Sequence, residues 1–275
     1  SYLKYNGEDL VGIDIKSSQP YLLNFLLNPD FYKIQDGKIN INNIYPELYS
    51  KLPIEEINSL LMYGTYDKSF EDIDWTKDFY SELIATEQVK FSKVKKYFNS
   101  RTEVKKKIMI ILYDKKHKSK AFERFKALYP KIADLIKIFH SIGDKKDNHF
   151  PILMQRLESK LMLDNIAKVI SIELPNAPII PVHDSFMTTL EYQLPIYNIM
   201  ERELTNTVGK PSGLKLENIS SEDIERDFDK LIQEDLEEIY QKKINYSYLV
   251  SQKPHLINKI PEMNGKKILS TRYLK

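Results

Sequence analysis

The sequence predicts an α+β fold in which helices pack on a small antiparallel sheet. Three observations carry that expectation. Val11–Asp14 is a short apolar run after the turn-forming pair Asn6-Gly7 and reads as a buried strand. Ile179–Val182 and Phe186–Leu190 are two strand-like runs separated by His183-Asp184-Ser185, the pattern of a hairpin with Asp184 near its tip. Between these runs lie long segments with helical spacing, punctuated by Pro, Gly and Asn.

Taken in order, Ser17-Ser18 open a helix over Gln19–Leu27, with Pro20 tolerated in its first turn and Asn28-Pro29-Asp30 ending it. Residues 31–52 read as irregular. Pro53–Tyr63 forms a helix that stops at Gly64. Helices are expected over Glu87–Phe98, Thr102–Tyr113, Lys118–Tyr129 and Lys131–Ser141, with Pro130 at the last junction. A long helix over Pro151–Glu173 follows, its apolar face approximated by Leu153, Leu157, Leu161, Ile166 and Ile170. Leu194–Val208 is a helix, Leu214–Leu216 a last short strand, and Ser221–Lys243 an acidic helix with a serine cap.

Composition narrows the function classes. The 275 residues, 42% hydrophobic and 29% charged, suffice for a buried core with a wet surface. There is no run of about 20 apolar residues, so no membrane span is expected. Ser1–Asp9 lacks the apolar core of a secretory signal, and a cytoplasmic location is expected. The absence of cysteine excludes disulfides and thiolate metal sites. A metal would rest on oxygen ligands or histidine, which suits magnesium or manganese. Charge is unevenly spread. Lys90–Lys126 holds fourteen Lys or Arg against three acids, whereas Glu217–Glu238 holds ten acids against Arg226 and Lys230. A basic middle of this kind suits an anionic partner such as nucleic acid, although a solvated helix face has the same composition.

Three constellations carry chemistry. Asp14 ends an apolar strand just before a helix, and Asp184 sits at a hairpin tip; singly, each is also an ordinary cap or turn aspartate. On neighbouring strands they would form a carboxylate pair able to hold two metal ions roughly 3.5–4 Å apart. On a helix, Arg101, Lys105, Met109 and Tyr113 fall on one stripe, offering two cations for phosphate and then apolar and aromatic surface for a base. An amphipathic core helix with a solvated basic face would show the same stripe.

In combination these elements resemble the palm and fingers of family A DNA polymerases and of the related single-subunit, phage-type RNA polymerases. The residues that carry the resemblance are Gly-Ile-Asp14-Ile-Lys-Ser-Ser-Gln19, Arg101-x3-Lys105-x7-Tyr113 and Val-His183-Asp184-Ser-Phe, in the family order A, B, C. Lys106, Met109 and His-Asp-Ser-Phe are similar to the RNA polymerase version. Phe122–Pro130 resembles a stretch that follows motif B in DNA polymerases. The resemblance covers roughly residues 8–217.

The resemblance implies a right-hand polymerase palm with a reduced helical fingers subdomain: palm over 1–30 and 151–217, fingers over 31–150, and an acidic helical extension over 218–275. It implies a nucleotidyltransferase of a phage, plasmid or other mobile element's DNA replication, with DNA polymerase favoured over RNA polymerase and the choice open. Asp14 and Asp184 would bind two Mg²⁺ ions, with Mn²⁺ as a substitute. Arg101 and Lys105 would bind the triphosphate, and Lys105 would protonate the leaving pyrophosphate. Met109, Tyr113 and Gln19 would line the base and sugar, while His183, Gln155 and Lys106 would meet primer or template. Gln19 stands close to where DNA polymerases carry a sugar-screening glutamate. Partners would be template, primer and nucleoside triphosphates, with further domains or subunits supplying a thumb. Asp114 replaces the family glycine after Tyr113. That departure and the short fingers motivate a second reading, a polymerase-like nucleic-acid-binding module without catalysis. A third is an interaction protein whose acidic helix docks a partner or masks the basic groove.

Overall fold

The computed structural model describes residues 4–63, 68–91, 97–143, 148–218, 262–263 and 266–267. The chain divides into two units, Leu3–Ile219 and a second formed by Ser1–Tyr2 with Ser220–Lys275. No described helix is long and apolar enough to cross a membrane.

The sheet of the larger unit begins with β1 (Lys4–Tyr5) and β2 (Glu8–Ile15). Asn6 and Gly7 join them at φ 50° and 85°, the two positive angles that a tight antiparallel hairpin needs. The other strands are β3 (Ile180–Val182), β4 (Ser185–Thr189) and β5 (Leu214–Asn218). β2 lies between β4 and β5, and β4 carries β3 on its outer side, with every pairing antiparallel. The expected strand at 11–14 is therefore the inner part of a longer one.

Helices fill the rest. They are α1 (Ser18–Leu22), α2 (Asn24–Leu27), α3 (Ile41–Ile44), α4 (Pro46–Tyr49), α5 (Ile54–Tyr63), α6 (Lys68–Glu71) and α7 (Phe79–Lys90). Then follow α8 (Arg101–Tyr113), α9 (Lys120–Leu128), α10 (Pro130–Ser141), α11 (His149–Ser159), α12 (Lys168–Glu173) and α13 (Leu190–Val208). Together the larger unit is a mixed helical and antiparallel-sheet, α+β structure.

Several elements differ from the sequence expectation: the helix expected over Gln19–Leu27 is two short ones, α1 and α2, and α13 begins at Leu190, the residue expected to end the preceding strand. The stretch at 31–52 contains two short helices: Asn40 and Asn43 form a reciprocal cap for α3, and Pro46 opens α4. The helix expected over Glu87–Phe98 instead runs Phe79–Lys90, started by Asp78, whose carboxylate accepts the Ser81 N–H. Between α11 and α12 the helix continues without a break but widens to a π-helix over Lys160–Ala167. Leu153, Leu157, Leu161, Ile166 and Ile170 are all buried, and the five-residue step from Leu161 to Ile166 coincides with the wide turn.

Alternation along the strands sorts the sheet into two faces. Ile13 and Phe186, paired across β2 and β4, are fully buried on the face where α13 supplies Ile196 and Met200. Asp14, Ser185, Lys215 and Glu217 belong to the opposite face. In the smaller unit, β6 (Glu262–Met263) pairs antiparallel with β7 (Lys266–Lys267). The acidic helix expected over 221–243 lies outside the described residues.

Candidate active-site cleft

Strand register brings the two aspartates together. Asp14 pairs with Ser185, the residue after Asp184, and the Ile15 N–H donates to the Asp184 carbonyl at 3.2 Å. His183 turns the β3–β4 hairpin at φ 53°, a left-handed angle that a non-glycine residue adopts at some cost. Both aspartates line a cleft of about 580 Å³. Of the ten candidate site residues, nine line it: Asp14, Gln19, Arg101, Lys105, Met109, Tyr113, Gln155, His183 and Asp184. Lys106 is exposed on α8 outside this lining.

α8 forms one wall. Ser100 caps it by accepting the Glu103 N–H, and Val104, Ile108, Ile111 and Leu112 bury its inner face. The three successive lysines of this helix have different fates. Lys105 faces the cleft. Lys107 turns back to donate to the Tyr97 carbonyl at 2.5 Å, pairs with Glu103 at 2.7 Å and lies 3.7 Å from the Tyr97 ring centroid. Glu87, 1% exposed, accepts the N–H groups of Tyr97 and Phe98 and pairs with Arg124 Nε at 3.1 Å. The entry to α8 is thus fixed from beneath by a buried carboxylate.

Two hydrogen bonds link the far end of α8 to α1 and, through it, to α11. Tyr113 Oη donates to Gln19 Oε1 at 2.9 Å, and Gln19 Nε2 donates to Glu158 Oε2 at 2.6 Å. Asp114, the departure that motivates the non-catalytic reading, ends the helix and accepts the Lys116 N–H at 3.0 Å. It is not among the cleft-lining residues.

Electrostatics single out the floor. Burial, then the charges of Asp184 and Glu217, push the Asp14 carboxyl up to about 6, while Lys215 and Lys105 pull it down. Burial and Asp184 also raise Glu158, against the Gln19 hydrogen bond and His183. Such crowding of carboxylates is what a divalent cation would relieve. Asp14 and Asp184 are an oxygen-donor pair that fits magnesium chemistry. Among the described residues no group of three or more His, Asp or Glu is disposed to hold a metal.

Sequence reasoning missed Glu217, Glu158, Lys215, Tyr80 and Lys16 in this lining. Glu217 arrives through the β2–β5 pairing opposite Gly12, where a side chain on Gly12 would lie 3.3 Å from Glu217 Cβ. Glu158 had a signal, three residues after Gln155 on the same helix.

No protein-family model matches the chain, and no curated protein matches it in sequence. Among solved structures it is similar to the POL domain of Pol1 from M. smegmatis, solved in complex with DNA primer-template and dNTP. Identity is 11%, the match covers 77% of this chain and 40% of that one, and the TM-score is 0.31. The chain thus spans about two fifths of that neighbour, and a likeness at this score carries no argument about the chemistry.

Proposed function

We propose that the cleft is the active site of a metal-dependent, template-directed nucleotidyltransferase, a polymerase palm with reduced helical fingers. One observation carries the reading: the ends of two adjacent strands present Asp14 and Asp184 to the same cleft as the Arg101–Lys105–Met109–Tyr113 stripe. Two magnesium ions held by Asp14 and Asp184 would lower the pKa of an attacking hydroxyl and neutralise charge on the leaving phosphates.

The chain's own residues supply the rest. Arg101 and Lys105 offer charge-assisted donors to a triphosphate, and Lys105 is the candidate to protonate the departing pyrophosphate. Met109 and Tyr113 present apolar and aromatic surface to the base, and Gln19, held by Tyr113 and Glu158, meets the sugar. His183 and Gln155 border the place for a primer end. Product type stays with DNA as the favoured choice, since Phe122–Pro130 follows the DNA polymerase pattern, and replication of a mobile element remains the proposed setting.

The test is primer extension with magnesium, comparing dNTPs with rNTPs. Asp14→Ala and Asp184→Ala should each abolish incorporation while the protein stays folded; near-normal extension by either rejects the assignment.

A second reading, binding without catalysis, is favoured by the exposed cations Lys106, Lys116, Lys118 and Lys120 along and beyond α8. It requires salt-dependent nucleic-acid affinity that magnesium and nucleotide leave unchanged.

A further inference from the structure

The guanidinium of Arg101 is not a free phosphate ligand waiting in solvent. Its Nη2 donates to Asp78 Oδ1 at 2.9 Å, and its Cζ lies 5.4 Å from the centroid of the buried Tyr80 ring. Asp78 is itself immobilised. Its other carboxylate oxygen accepts the Ser81 N–H at 3.0 Å and the Ser81 hydroxyl at 2.8 Å, capping α7. The Ser17 hydroxyl, three residues after Asp14, donates to Asp78 Oδ1 at 3.4 Å.

The loop that delivers Asp78 is bolted to the sheet. Gly213 donates its N–H to the Trp75 carbonyl at 2.7 Å and accepts from the Lys16 N–H at 2.9 Å. The approach is close enough that a Cβ on Gly213 would lie 2.5 Å from the Thr76 carbonyl oxygen. Burial pushes the Asp78 carboxyl up, but the Arg101 guanidinium and Ser81 outweigh it and hold the group below the usual carboxylate range.

An ion pair with its arginine 56% exposed contributes little to stability, so its effect lies in orientation. Arginine carries five N–H donors in a rigid fork. One edge bonded to Asp78 leaves other N–H donors on a side chain that lines the cleft. We propose that Asp78 is a positioning residue that anchors Arg101, from a fixed point on the sheet side, for capture of the triphosphate of an incoming nucleotide. The proposal rests on the nucleotidyltransferase reading for the identity of the ligand.

Asp78→Asn separates the two roles of this side chain. Asparagine caps a helix as well as aspartate does, so α7 is kept while the anchor loses its charge. In steady-state incorporation the variant should raise KM for the nucleotide about tenfold with kcat within about twofold, at an unchanged melting temperature. Arg101→Lys should add less in the Asp78→Asn background than in the wild type, since the two residues act as one unit.

Calorimetric titration with magnesium-bound inorganic triphosphate reads the anchor apart from polymerisation, and the same tenfold weakening is expected. Unchanged affinity in Asp78→Asn overturns the proposal. Tighter binding also overturns it, because Asp78 would then compete with phosphate for Arg101. A wild type that binds triphosphate, loses that binding in Asp78→Asn, and yet incorporates no nucleotide rejects the polymerase reading while supporting the anchor. A wild type that binds no triphosphate rejects both.

Discussion

Tyr113 donates its hydroxyl to the Gln19 side-chain carbonyl at 2.9 Å, joining the last turn of α8 to the helix that follows Asp14. Gln19 accepts from the tyrosine through its oxygen while its amide nitrogen donates to Glu158. Tyr113→Phe removes one hydrogen bond and keeps the ring. It should cost about 1 kcal/mol in urea unfolding and leave any base-stacking role of the ring in place.

Asp14 and Asp184 should be dispensable for folding. Asp14 is partly buried beside Asp184 and Glu217, so its charge opposes folding when no cation is present. Asp14→Asn should therefore melt at or above the wild-type temperature without divalent ions, while abolishing nucleotide incorporation. A variant that melts well below wild type would mean the carboxylate is structural.

Glu87 is the opposite case. Its carboxylate satisfies two backbone N–H groups and Arg124 in a site that water barely reaches. Glu87→Leu strands those partners, and breaking a buried pair in this way costs about 3–5 kcal/mol. Chemical denaturation should show that loss, and nucleotide KM should rise, because the chain entering α8 is no longer held.

His140 makes stability depend on acid. Its ring Nδ1 lies 2.9 Å from His117 Nε2, the rings stack at 4.7 Å, and Lys115, Lys137 and Asp114 are the nearby charges. Burial, then His117, push His140 from 6.5 down to about 4. The unfolded chain thus takes up a proton that the folded chain refuses between those values. The His140 contribution should be full above pH about 6.5 and decline as pH falls toward 4, while Asp14, raised to about 6, contributes in the opposite sense over the same window. The melting temperature of His140→Leu relative to the wild type should rise as pH falls across that window; a difference that stays constant with pH would remove His140 as a cause.

Gly213 tests the mounting of the Asp78 loop. Gly213→Ala forces a methyl against the Thr76 carbonyl and the Lys16 side chain, an overpacking that typically costs about 1–3 kcal/mol. Thermal unfolding would register it, together with weaker triphosphate binding.

Much of the site could be read in the sequence because its residues obey local rules. Asp14 closes an apolar run, the α8 stripe repeats every four residues, and His183-Asp184 interrupts two strand-like segments. Glu217 could not be read, since it reaches the cleft only through strand pairing across about 200 residues of chain. Asp78 was hidden for a different reason. The buried positions of α7 are Phe79, Tyr80, Leu83 and Glu87, so a carboxylate takes the place where the apolar pattern should continue. The pattern then fades, and the helix is read as starting at Glu87 instead of ending just beyond it. In the helix after residue 149, the five-residue step between Leu161 and Ile166 was visible but looked like an imperfect α-helical face.

That wide turn works as a phase shifter. An α-helix advances 100° per residue, so a rod of one pitch would have to present both its ends in a single rotational setting. The first half, α11, packs on α1, α8 and α10 and brings Gln155 and Glu158 to the cleft. The widened segment packs on α13 and β3, with Asn165 donating to Thr207 at 2.7 Å. Accommodating one extra residue in the turn lets each half find its own azimuth. Gln155 and Glu158 thereby take their setting from α1, α8 and α10, while the widened segment takes its own from α13 and β3.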